Sequence, residues 1–120
     1  AAKYMKKRQS GSIFFTGATA SLRGGSGFSA FASAKFALRA LSQSIARELG
    51  PQGIHVAHFI IDGAIDTAFI KENFPEAYAL KEKDGILSPE KIADSYWFVH
   101  SQHRSAWTHE LDLRPYMEKF

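Results

Sequence analysis

The spacing of apolar positions changes several times along the chain, and each change marks an element. Ala1-Ala2-Lys3-Tyr4-Met5-Lys6-Lys7-Arg8-Gln9 combines strong helix formers with apolar side chains at positions 1, 2, 4 and 5, and holds no Ser, Thr, Asp or Asn to cap a helix start. It reads as the last turns of a helix whose beginning lies upstream, ended by Ser10-Gly11 through glycine's tolerance of left-handed backbone. Ser12-Ile13-Phe14-Phe15-Thr16 is a β-rich apolar run, a buried strand. Gly17 to Gly27, with four glycines and three Ser or Thr, is a loop.

From Phe28 to Gly50 neither Pro nor Gly interrupts a helical pattern in which Phe31, Leu38, Leu41, Ile45 and Leu49 recur at helical spacings. Phe28, Ala30, Ala32, Ala34, Phe36, Ala37 and Ala40 make its first half apolar almost all round, which predicts burial on every side. Gly50-Pro51 stops it. Ile54 to Ile61 is a second strand, and Asp62-Gly63-Ala64 turns out of it. Asp66 to Lys83 is polar and loosely helical, broken at Pro75. Ser88 caps a helix with Pro89 at its first position, running to about Gln102. Thr108 to Arg114 alternates, with Leu111 and Leu113 on one face, as an edge strand does. The order strand, helix, strand, helix, strand is that of an α/β fold, with about three parallel strands joined by crossover helices. Three strands are few for a self-sufficient sheet, which again predicts a fragment of a larger domain.

Composition narrows the function classes. The 120 residues are 45% hydrophobic and 22% charged, ordinary for a globular domain, and contain no cysteine for disulfides or thiolate metal sites. Net charge is +3, and the Lys6-Lys7-Arg8 cluster has no aromatic interleaving, so a solvated helix end fits better than a nucleic-acid interface. No apolar run is long enough to span a bilayer and the opening residues do not read as a signal peptide, so a cytoplasmic domain without membrane or nucleic-acid partners is the expectation. His100 and His103 have helical spacing and His55 and His58 lie on opposite faces of a strand; none forms a ligand set, and no metal is expected.

At Phe31-Ala32-Ser33-Ala34-Lys35 the pattern becomes specific. A strand, a small-residue loop, and an aromatic residue four before a lysine at the head of a long helix resemble the C-terminal half of the short-chain dehydrogenase/reductase family, whose motif is Tyr-x-x-x-Lys. The helix from Leu38, the Gly50-Pro51 break and the Gly53-Ile54-His55-Val56 strand follow that family's order. Asp62-Gly63-Ala64-Ile65-Asp66-Thr67 stands where it has Pro-Gly-x-Ile-x-Thr, and Ser88-Pro89-Glu90 resembles its last helix start. The resemblance implies one domain over 1–120, the C-terminal part of a Rossmann-like doubly wound parallel sheet. The family's glycine-rich dinucleotide fingerprint would lie upstream. Thr16-Gly17-Ala18 and Gly25-Ser26-Gly27 imitate it only in part, the second beginning too far past its strand.

The resemblance also implies chemistry. In the family a tyrosine hydroxyl moves the proton while nicotinamide carries hydride, a lysine four residues on lowers the tyrosine pKa and holds the ribose, and a serine bonds the substrate oxygen. Here the tyrosine position is Phe31 and the serine position Ala18, neither with a dissociable proton; Lys35 is the retained catalytic and cofactor-binding side chain. Gly63, Ile65 and Thr67 match the turn that meets the nicotinamide carboxamide, while Asp62 in place of proline leaves that turn's rigidity open. Thr19, Ser21, Ser29 and Ser33 are nearby hydroxyls; Thr19 or Ser21 could supply a hydrogen bond to substrate if the loop shifts, though such residues better suit satisfying loop backbone, and Ser33 points to another helix face than Phe31.

The implied function is an oxidoreductase using NAD or NADP on an alcohol or carbonyl substrate, with an atypical proton-transfer site. Alternatives are a non-catalytic dinucleotide-binding sensor, scaffold or partner subunit, and a remnant that binds nothing. Loss of a general acid costs ~10²–10⁴-fold in rate. The apolar helix implies a homodimer or homotetramer.

Overall fold

The computed structural model describes residues 1–120. Helix α1 (Ala2–Arg8) carries Lys6, Lys7 and Arg8 in its last turn, where the helix dipole favours cations. It ends on Gln9, which takes the left-handed conformation at φ 51°, rather than on a glycine, and Gly11 already begins β1 (Gly11–Ala18). Strand β1 runs two residues past the predicted apolar stretch because Gly17 and Ala18 keep their pairing with Ile60 and Ile61. The neighbouring strand, not the side-chain pattern, decides where it stops.

Helix α2 (Ser29–Leu49) and strand β2 (Ile54–Ile61) lie where the sequence predicts them. The stop between them comes later than Gly50. Gly50 is still right-handed and opens a single 3₁₀ turn, and it is Gly53 that turns left-handed, at φ 77°. A Cβ at Gly53 would collide with the carbonyl oxygen of Gln9, so sterics and backbone conformation both demand glycine there. Beyond β2 come α3 (Ala68–Asn73), α4 (Pro75–Tyr78) with Pro75 at its first position, α5 (Pro89–His100) and β3 (Glu110–Leu113). The predicted cap on α5 is present, Ser88 accepting from the Lys91 amide.

The three strands form one parallel sheet in the order β1-β2-β3. Strand β2 is buried along its whole length, and its alternation splits the core in two. Ile54 and Val56 pack with Leu49, Ile45, Ile13 and Met5 against α2 and α1. Ala57, Phe59 and Ile61 pack on the opposite face with Leu87, Val99, Tyr96, Leu111 and Leu113, against α5. Helices thus cover both faces of an open parallel sheet, the doubly wound arrangement. The strands step in one direction while α2 and α5 lie on opposite faces, so the two crossovers have opposite hand, and one departs from the usual right-handed connection.

Burial of α2 on every side is not met within the chain. Phe28, Phe31, Phe36 and Leu41 are exposed, because one sheet covers only one face of a helix whose first half is apolar all round. No helix is long and apolar enough to cross a membrane.

Candidate functional site

The carboxyl ends of β1 and β2 open toward the start of α2, the edge at which parallel sheets place their ligands. After β1 the chain tightens into a 3₁₀ turn, Thr19–Ser21, where the Ala18 amide donates to the buried Ser21 hydroxyl at 3.1 Å. Ser21 therefore satisfies loop backbone, the role its sequence context suggests. Ala18 stands at the end of the strand and does not line the adjoining cleft.

Residues 31 and 35 share one helix face, as their spacing requires. Lys35 Nζ donates to the Thr16 carbonyl at 3.0 Å and lies 5.7 Å from the centroid of the Phe31 ring. One of three ammonium donors is thereby used to orient the side chain along the strand end, and two remain for a ligand. Phe31 is 49% exposed. With Phe28, Thr19, Ala20, Arg23, Gly24 and Gly25 it lines a cleft of about 320 Å³.

The turn after β2 is anchored more firmly than its sequence suggests. Asp62 is fully buried. Its amide donates to the Leu113 carbonyl at 2.8 Å, while its carboxylate accepts the Thr19 hydroxyl at 2.5 Å and the Arg23 guanidinium at 3.4 and 3.5 Å. Asp62 thus ties the loop after β1 to the end of β2. Gly63 follows at φ 144°, with the Pro115 ring so close that a Cβ would lie 2.9 Å from it. Ile65 bridges to Leu87, and its own amide donates to no group of the chain. The Thr67 hydroxyl accepts from the Ile70 amide at 3.3 Å and caps α3, which leaves its proton free.

Behind this edge runs a second polar chain that the sequence reading missed. Arg39 on α2 grips Glu110 on β3 with two hydrogen bonds, at 2.6 and 2.9 Å, and the fully buried His58 meets the same carboxylate through Nδ1 at 3.0 Å. Burial pushes the Glu110 carboxyl upward, but the bonds from Arg39 and His58 outweigh it and hold the group below the ordinary carboxylate value. With Nδ1 donating to a carboxylate, the buried His58 Nε2 is left without a partner. His55 lies on the opposite face, stacked on Trp107 with ring centroids 4.6 Å apart, as strand alternation predicts. His100 pairs with Ser12 and His103 with Ser105, and no three His, Cys, Asp or Glu side chains converge.

Residues 1–77 match the family model described as short chain dehydrogenase. Over 92 residues the chain is 32% identical to a 3-dehydrosphinganine reductase of Danio rerio, an alignment covering 74% of this chain and 28% of that protein. The crystal structure of a short-chain dehydrogenase from Rhodopseudomonas palustris is 50% identical with a TM-score of 0.71, over 96% of this chain and 43% of that one. A 7α-hydroxysteroid dehydrogenase complexed with NADH and 7-oxo glycochenodeoxycholic acid reaches a TM-score of 0.80 at 24% identity, over 96% of this chain and 47% of that one, a likeness of fold alone. The chain spans less than half the length of each of these proteins.

Proposed function

This chain belongs to the short-chain dehydrogenase/reductase family of oxidoreductases, and from that membership we propose that it forms the C-terminal part of a Rossmann domain that transfers hydride between NAD or NADP and an alcohol or carbonyl. The observation that carries the reading is the pair Phe31 and Lys35 on one helix face at the carboxyl edge of the sheet, with Lys35 held to the Thr16 carbonyl. Residues 1–120 are read as one unit.

The donors at this edge fit a nicotinamide nucleoside. Lys35 has two uncommitted N–H donors for ribose hydroxyls. The Ile65 amide has no partner within the chain, and the Thr67 hydroxyl keeps its proton; both suit a carboxamide. Gly63 holds the turn that carries them. The bound cofactor would supply or accept the hydride. The chain's own part is to orient its ring and to hold substrate against Phe31. With Phe31 and Ala18 at the family's tyrosine and serine positions, neither side chain can move the proton, and the chemical step is slow. That same lack of a proton donor favours a second reading, a dinucleotide-binding sensor or scaffold that has given up catalysis. Phe36 and Ala40, on the open side of α2, are proposed to meet a second copy in a homodimer or homotetramer in the cytoplasm.

Titration of the protein with NADH and NADPH, followed by nicotinamide fluorescence, tests the proposal. Lys35→Met and Thr67→Val should each weaken binding, Lys35→Met by tenfold or more, with circular dichroism unchanged. Equal affinity in wild type and Lys35→Met removes the basis of the reading.

A further inference from the structure

Two fully buried side chains near the carboxyl edge have complementary needs that the rest of the chain does not meet. His58 Nδ1 donates to Glu110 at 3.0 Å, because an ionised carboxylate only accepts, and Nε2 is left as a lone pair with no donor. Ser21 accepts the Ala18 amide at 3.1 Å, and its own hydroxyl proton reaches no acceptor. The large majority of buried polar side-chain atoms are paired, so an acceptor without a donor and a donor without an acceptor in one interior are informative.

Gly17 shows how near the two atoms lie. A Cβ built there would stand 2.3 Å from His58 Nε2 and 2.6 Å from Ser21 Oγ, so both border the same spot and no side chain fits between them. The backbone of Gly17 is not left-handed, and this close approach alone demands glycine.

The pair extends a longer chain of contacts. Ser21 closes the 3₁₀ turn whose Thr19 and Ala20 form one wall of the cleft. His58 stands on β2 and Glu110 on β3, and Arg39 belongs to α2, which supplies Phe31 to the other wall. Phe31, Lys35 and Arg39 follow at intervals of four, so Arg39 lies two turns along the face that carries the candidate site. A bond between Ser21 and His58 makes the line from one wall to the other continuous.

We propose that the Ser21 hydroxyl donates to His58 Nε2, and that His58 is thereby the positioning residue that sets the turn after β1 against α2. Its meaning for the cleft rests on the reading of this edge as a dehydrogenase site, while the bond itself does not.

Side-chain nitrogen NMR reads the bond in the wild-type protein. His58 should show one protonated nitrogen, Nδ1, and an Nε2 resonance upfield of a bare imine nitrogen. Ser21→Ala should return that resonance to the bare position. Hydrogen exchange reads the positioning. His58→Asn keeps a donor for Glu110 and loses the acceptor for Ser21, whereas His58→Gln places an acceptor near the Nε2 position. The Ala18 and Leu22 amides, bonded to Ser21 and Thr19, should exchange at least tenfold faster in His58→Asn and slow again in His58→Gln. The Leu87 amide, bonded to Ala64, should be unchanged in both, which separates a loosened turn from a destabilised fold. NADPH should bind severalfold more weakly to His58→Asn than to wild type or His58→Gln. A wild-type Nε2 that carries a proton, or whose resonance does not move in Ser21→Ala, overturns the bond without any His58 variant having to fold. Equal Ala18 exchange or equal NADPH affinity in wild type and His58→Asn overturns the positioning role. If wild type binds no NADPH, the dehydrogenase reading fails, and the resonance of Nε2 still decides the bond.

Discussion

Glu110→Ala removes the acceptor that joins α2, β2 and β3. Glu110 takes two bonds from Arg39 and one from His58. A hydrogen bond to a charged group contributes about 1.5–3 kcal/mol when buried. The Arg39 and Glu110 side chains are 32% and 24% exposed, so solvent screening reduces their pair well below that range. The larger loss falls on His58, which is fully buried with Nε2 already unpartnered; stranding Nδ1 as well costs roughly 1–3 kcal/mol. The sum is about 2–4 kcal/mol, or a fall in Tm of roughly 8–16 °C for a domain of this size. Because the folded Glu110 carboxyl is held below its ordinary value, its contribution is complete above the unfolded value of about 4.3 and is lost as pH falls through the folded one. Thermal melts by circular dichroism from pH 7 to pH 3 should therefore show a gap between wild type and variant that narrows as pH falls through the folded Glu110 value. A gap under about 2 °C at pH 7, or one that stays constant to pH 3, refutes the reasoning.

Other expectations concern the frame around the site. Phe59 is fully buried and stacked on Tyr96 with ring centroids 3.6 Å apart, so Phe59→Ala should cost about 3–5 kcal/mol in urea unfolding. Gly53→Ala should destabilise by more than about 1 kcal/mol, because it adds a clash with the Gln9 carbonyl to an unfavourable φ; a neutral result would contradict the turn as described. Ser88→Ala should cost about 1 kcal/mol through loss of the α5 cap, read from the same unfolding curves.

Local periodicity carries what is local. The strand Ile54–Ile61, the long helix from Ser29, and the Ser88-Pro89 start are legible because apolar spacing, a capping hydroxyl and a proline each act within one turn or one strand. The pairing of Phe31 with Lys35 follows from the same helical geometry. What could not be read depends on contacts far apart in sequence. Strand β1 is lengthened by its neighbour, and left-handed Gln9 takes the place of a glycine beneath Gly53. Thr19 and Arg23 gain their meaning only when Asp62, some forty residues on, comes to lie between them. Asp62 did carry a signal, an acidic residue at the end of an otherwise apolar strand, but its partners are set by the fold. The Arg39–Glu110–His58 chain is of the same kind: three polar residues on three elements, none distinctive alone.

We propose that this family member keeps its cofactor contacts while Phe31 stands in place of the group that moves the proton and Ala18 in place of the one that bonds the substrate oxygen. Steady-state NADPH oxidation with simple carbonyl substrates, wild type beside a protein carrying Phe31→Tyr and Ala18→Ser, tests it most directly. The half-exposed Phe31 ring leaves room for one added hydroxyl. The account predicts a very slow wild type and a rate at least tenfold higher in the double variant. A wild type that already turns over at ordinary enzyme rates of ~1–10³ s⁻¹ would contradict it, because another group would then be moving the proton.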